Sequence, residues 1–101
     1  MLTSKQRAFL RGQAQNLNAI FQLGKTGISQ ESVKAVADAL ARREIVKLHV
    51  LETCPYNAKE AAPVLAEAVK CDVVQVIGSK IVLFKKKSKD SKYDLKNLTV
   101  I

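Results

Sequence analysis

Four residues, Gly24-Lys25-Thr26-Gly27, have the types and spacing of a small anion-binding device. They stand between an apolar run, Ala19 to Leu23, and an amphipathic stretch from Ser29 to Arg43. A strand-turn-helix of this kind leaves backbone N–H groups unpaired at the helix start, where the helix dipole favours negative charge. Lys25 adds a mobile cation at the same place. Glycine lets a sugar–phosphate chain approach the main chain closely. In KH domains a comparable Gly-x-x-Gly loop clamps a nucleic-acid backbone. The expected ligand is therefore a phosphate. Four such residues are also ordinary turn chemistry, so the surrounding charge has to discriminate.

Nucleotide hydrolysis is another reading of Gly-Lys-Thr, and the spacing rejects it. A P-loop needs a glycine five positions before the glycine of its Gly-Lys pair. That position is Ala19, inside the expected strand. Other catalytic sets are lacking. His49 is the single histidine, so a base relay would rest on it alone. Glu44 and Glu52 bracket a strand and would lie ~26 Å apart when extended, too far for paired acid–base work. They read as solubilising charges. Cys54 and Cys71 form neither a CxxC pair nor a cluster with histidine, so they read as small buried hydrophobes rather than zinc ligands. The chain is expected not to be an enzyme. No catalytic residue, metal, cofactor or small-molecule substrate is expected.

The charge is uneven. Net charge is +8, and residues 1–30 carry Lys5, Arg7, Arg11 and Lys25 with no acid. Residues 31–79 carry six basic and seven acidic side chains, and residues 80–101 carry seven lysines against Asp90 and Asp94. Excess at the two ends suggests a polyanionic partner; the bland alternative is a solubility charge. Base-stacking equipment is scarce: Phe9, Phe21, Tyr56, Phe84 and Tyr93, with no tryptophan. The three phenylalanines sit at positions expected to be buried. Binding would then rest on backbone phosphates and shape. No apolar run nears the ~20 residues that span a bilayer. Residues 1–7 lack the apolar core of a secretion signal. A cytoplasmic location without membrane association is expected.

The elements that must position the turn follow from periodicity. With 101 residues, 48% of them apolar, one domain with one core is expected. Thr3 and Gln6 have the form of a capping box for a helix over 4–15, with Phe9, Leu10 and Gln13 on one side. Arg7 and Arg11 are one turn apart and project together, either as a solvated stripe or as an RNA contact. A strand covers 19–23. Ser29 caps a helix to Arg43, with Val33, Val36, Ala37 and Leu40 as its apolar stripe. Arg42 and Arg43 suit the negative end of that helix. A strand over 45–51 sets Val46, Leu48 and Val50 opposite Lys47 and His49. A third helix begins at Asn57, capped with Glu60, or regularly only at Pro63, and ends near Lys70; Ala58, Ala61, Leu65, Ala68 and Val69 form its core face. Strands over 73–77 and 81–86, joined by Gly78-Ser79-Lys80, form a hairpin. Both are apolar on two faces and are expected to be central. The order, a helix then β-α-β-α-β-β, predicts a single-domain α/β sandwich with a four-stranded mixed sheet. Residues 1–87 form the expected domain and 88–101 a Lys-containing tail, whose Leu95, Leu98, Val100 and Ile101 could dock on it.

Taken in order, several segments resemble one family. They are Leu2-Thr3-Ser4-Lys5-Gln6-Arg7 with Leu10-Arg11, then Gln22-Leu23-Gly24-Lys25-Thr26-Gly27-Ile28-Ser29. Ala39 to Leu48 and Val74 to Phe84 complete the set. Together they resemble the CRM domain (chloroplast RNA splicing and ribosome maturation) in its single-domain bacterial, YhbY-like form. The resemblance implies a fold similar to the C-terminal domain of translation initiation factor three. It implies RNA binding, with Gly24, Lys25, Thr26 and Gly27 at the binding surface. For bacterial members it implies association with precursors of the large ribosomal subunit. Lys5, Arg7, Arg11, Arg42, Arg43 and Lys47 are candidates for the surrounding basic surface. Pro63 and the Lys-rich tail depart from the family pattern. The expected function is thus rRNA binding in large-subunit assembly, by a monomer. The alternative is a protein-interaction module docking an acidic partner through Arg42, Arg43 and the tail.

Overall fold

The computed structural model describes residues 4–85. Thr3 of the expected capping box and the tail residues Tyr93, Leu95, Leu98, Val100 and Ile101 lie outside the described residues, as does all of 88–101. The elements in chain order are α1 (Ser4–Ala14), β1 (Phe21–Leu23), α2 (Gln30–Arg43), β2 (Ile45–Val50), α3 (Ala58–Val69), β3 (Asp72–Ile77) and β4 (Lys80–Phe84).

Local chemistry explains the helix boundaries. The Ser29 hydroxyl accepts the Ser32 N–H at 3.1 Å and so starts α2. Asn57 and Glu60 form a reciprocal capping box at the start of α3, with bonds of 2.8 and 3.1 Å. This decides the third helix: it begins at Ala58 and runs through Pro63 to Val69. Pro63 cannot bond the Lys59 carbonyl, but both residues are exposed, so water can serve that carbonyl. Two helices end on residues with positive φ, Glu44 at 66° and Lys70 at 61°.

The sheet has the order β1-β2-β4-β3. β1 runs parallel to β2, while β4 is antiparallel to both β2 and β3. This is the expected mixed four-stranded α/β sandwich. β4 is central, and Ile81 to Phe84 are buried. β3 is not central: it is an edge strand in which Val74 alone is buried. β1 is shorter than expected, although the Ile20 N–H still bonds the Lys47 carbonyl at 3.0 Å.

Helices α2 and α3 cover one face of the sheet, packing on Leu23, Val46, Leu48, Val50, Ile81 and Leu83. On the other face α1 packs Leu10 and Ala14 against Ile45, Val74, Val82 and Phe84. A bulge between Val73 and Gln75 shifts the register of β3. Several expectations change with the packing. Gln13 and Ala68 are exposed rather than in the core, and Phe9 and Phe21 are only half-buried. Glu44, read as a solubilising charge, is fully buried. Its carbonyl accepts the Lys85 N–H at 2.9 Å. Among the described residues no buried side-chain oxygen or nitrogen lacks a partner, so this carboxylate is held.

Candidate nucleic-acid interface

The Gly24–Gly27 segment closes as a turn, with the Gly27 N–H donating to the Gly24 carbonyl at 2.9 Å. Lys25 and Thr26 occupy its exposed tip. The two glycines differ in how far their positions require glycine. Gly27 is buried and has φ +66°, and a Cβ there would meet Pro55 Cγ at 3.1 Å and Tyr56 Cε2 at 3.4 Å. A Cβ on Gly24 would meet Leu51 Cδ1 and Thr53 Oγ1 at an ordinary 3.6 Å. The segment 51–56 therefore buttresses the turn, and the Leu51 N–H bonds the Leu23 carbonyl at 2.8 Å.

This geometry uses part of the expected anion-binding equipment internally. The Gly27 N–H is consumed by the turn, and the Ser32 N–H by the Ser29 cap. Glu31 already places a carboxylate in the first turn of α2. The helix end is thus partly satisfied by its own chain. What the loop offers outward is the Lys25 ammonium and the Thr26 hydroxyl, on a tip whose shape Gly27 holds.

Topology then sorts the other basic candidates. The C-terminal ends of β1 and β2 share one end of the sheet with the β3–β4 turn, where the Val50 N–H bonds the Ser79 carbonyl at 2.7 Å. The Gly24–Gly27 loop lies at that end. Arg42 and Arg43 are exposed at the far end of the 14-residue α2, ~20 Å away along the helix. They do not form one patch with the loop. Lys5 is exposed in the first turn of α1. Arg7 is half-buried, and its Nε donates to the Val73 carbonyl at 3.4 Å, tying α1 to β3. Lys47 donates to the Leu17 carbonyl at 3.3 Å. It shares a groove of about 410 Å³ with exposed Arg11, and one of about 390 Å³ with Arg43. The candidates therefore form two main sets: Lys25 with Thr26 at the loop tip, and Lys47, which meets Arg43 in one groove beside the 16–20 connector and Arg11 in another against α1.

Nothing in the described residues assembles a catalytic or metal centre. No group of three or more His, Cys, Asp and Glu could hold a metal ion among them. Cys54 and Cys71 are free thiols. Burial, with the Asp72 carboxylate adding to it, pushes the Cys71 thiol from 9.0 up to about 11. That disfavours the thiolate a nucleophile needs. No described helix is long and apolar enough to cross a membrane.

A family model described as the CRS1 / YhbY (CRM) domain matches residues 2–85. The chain belongs to this family. It is 39% identical over 95 residues to "Probable RNA-binding protein YqeI" of Bacillus subtilis, covering 94% of this chain and 99% of that protein. It is 29% identical over 84 residues to an RNA-binding protein of Haemophilus influenzae, covering 83% and 85% of the two chains. The solution structure of a candidate RNA-binding protein from Staphylococcus aureus superposes with a TM-score of 0.72 at 38% identity. That match covers 93% of this chain and 98% of the other. The CRM domain fold is thus shared along nearly the full length of both. The relatives are named for binding RNA, not for catalysis.

Proposed function

We propose that this CRM domain binds RNA without catalysis, contacting rRNA backbone in assembly of the large ribosomal subunit. The observation that carries the reading is the exposed Lys25–Thr26 tip, on a turn shaped by Gly27, in a chain whose relatives are RNA-binding proteins. Capture is electrostatic: the basic surface draws folded rRNA in, and the loop tip then meets its phosphates. Lys25 and Thr26 make the direct contacts, and Gly24 and Gly27 shape the turn. Arg11, Lys47 and Arg43 extend the basic surface, and Lys5, Arg7 and Arg42 supply its flanks. The domain, residues 1–87, acts as a cytoplasmic monomer, and residues 88–101 raise local affinity.

Lys25→Ala tests the loop. It removes one cation from an exposed tip, so the fold should be unaltered. The log–log salt dependence of rRNA binding should flatten by ~0.7–0.9. Crosslinking in cells with sequencing of the bound RNA should recover precursor rRNA of the large subunit. Unchanged affinity and slope for Lys25→Ala would remove the loop from the binding surface. Retention of protein partners after nuclease treatment, with no RNA crosslinked, would favour docking of an acidic protein through Arg42, Arg43 and the tail instead.

A further inference from the structure

Among the described residues, helix α1 covers only part of its face of the sheet. Its Leu10 and Ala14 pack over Ile45, Val74 and Phe84 and reach Val82, towards one end. At the other end two rows of side chains cross the sheet on the same face. Lys47, Val82 and Gln75 are in register across β2, β4 and β3. His49, Lys80 and Ile77 form the next row, which continues to Gln22 on β1. Ile77 is 60% exposed, the most exposed large apolar residue described. Neighbouring strands are ~4.8 Å apart, so this row spans ~14 Å. It starts two residues before the Gly24–Gly27 turn, at the same end of the sheet.

The open part is grooved and has one sign of charge. A groove of about 410 Å³ between the last turn of α1 and the sheet is lined by Arg11, Gln15, Lys47, Gln75 and Ile77 among others. A cavity of about 80 Å³ beside it is lined by Lys47, Gln75, Ile77, Lys80 and Val82. Among the described residues no carboxylate lines either one.

We infer that this open part of the sheet holds a single-stranded segment of RNA that continues from the Gly24–Gly27 loop. Arg11, Lys47 and Lys80 face its phosphates. Ile77 offers apolar contact to a splayed base or ribose, and Gln75 and Gln22 offer amide groups to base edges. A positively charged groove that can track a backbone suits an unpaired strand. A duplex keeps its bases stacked inside and has no use for Ile77. Charge opposes the rival occupants. A second copy would set the same lysines against each other, and residues 86–101 carry five lysines against two aspartates. The inference rests on the RNA-binding reading above but concerns a different surface.

The test uses the full chain, a fluorescein-labelled oligouridylate and a blunt RNA duplex of equal length. Lys80 and Ile77 are exposed side chains, so Lys80→Ala and Ile77→Ser should keep their circular dichroism melts. Lys80→Ala should flatten the salt slope for the oligouridylate by ~0.7. Ile77→Ser should weaken that binding with the slope unchanged, and should leave duplex binding alone. Wild-type affinity and slope in both variants, or no oligouridylate binding by the wild type, would overturn the inference. The RNA-binding reading would survive that result if the wild type still bound rRNA, and would fall with it if not. A change in sedimentation on Ile77→Ser with oligouridylate binding intact would assign the face to a second copy, and would also overturn it.

Discussion

Replacing Gly27 with alanine should destabilise the domain far more than replacing Gly24, although both belong to one Gly-x-x-Gly segment. Two effects add at Gly27. Its φ of +66° is in the left-handed region, where a Cβ costs ~1–2 kcal/mol. The new Cβ would also lie 3.1 Å from Pro55 Cγ and 3.4 Å from Pro55 Cδ and Tyr56 Cε2. Pro55 and Tyr56 are both exposed and can give way outward, so the crowding adds only about 1 kcal/mol, the low end of overpacking costs. Together the loss is ~2–3 kcal/mol, equivalent to a fall of ~8–24 °C in Tm for a domain of this size. At Gly24 the new Cβ meets Leu51 and Thr53 at ordinary van der Waals distance, so Gly24→Ala should melt within ~4 °C of wild type. Thermal and urea unfolding by circular dichroism measure both. Adding Pro55→Ala to Gly27→Ala should recover part of the loss, as coupling between neighbours requires. A Gly27→Ala melt within ~3 °C of wild type, or equal losses at the two glycines, would refute the reasoning.

Arg7→Ala should loosen α1 from β3 by removing the bond to the Val73 carbonyl, a loss of about 1 kcal/mol seen as a lower urea midpoint. Pro63→Ala should raise stability by ~1–3 kcal/mol by restoring a bond to the Lys59 carbonyl in mid-helix, visible as a higher Tm. Cys71, held near 11 by burial and Asp72, should alkylate slowly at neutral pH, its rate climbing until about that value. Because the folded thiol holds its proton longer than the unfolded one, its contribution to stability should be constant below pH 9.0 and fall between 9.0 and about 11. Unfolding midpoints measured across that range check the sign, and Cys71→Ser should abolish the step.

Much of the fold is legible in the chain because its signals are local. Ser29 caps α2 through a residue three positions on, and Asn57 with Glu60 caps α3 in the same way. The alternation of Val46, Leu48 and Val50 with Lys47 and His49 survives as the two faces of β2. The segments that resemble the CRM domain also lie in the chain in their family order, and the family match bears out that reading. Pro63 misleads only over where the helix starts, since its cost depends on whether the freed carbonyl meets water.

What the chain could not disclose depends on contacts between residues far apart in sequence. Val73 to Ile77 and Ile81 to Phe84 look alike as apolar runs, yet β4 enters between β2 and β3 and leaves β3 at the edge. Glu44 looks solvated until β4 ends beside it and Lys85 bonds its carbonyl. Arg7 and Arg11 look like one stripe, but Val73, 66 residues away, takes the first of them. Composition and spacing alone determined the helices, the turn and the excess of positive charge. Tertiary structure alone decided that Arg42 and Arg43 stand a helix length from that turn, and that Lys47 and Lys80 share a part of the sheet that no described helix covers. Hydrogen bonds within a few residues act whatever the rest of the chain does, whereas a shared surface exists only once strands distant in sequence have paired.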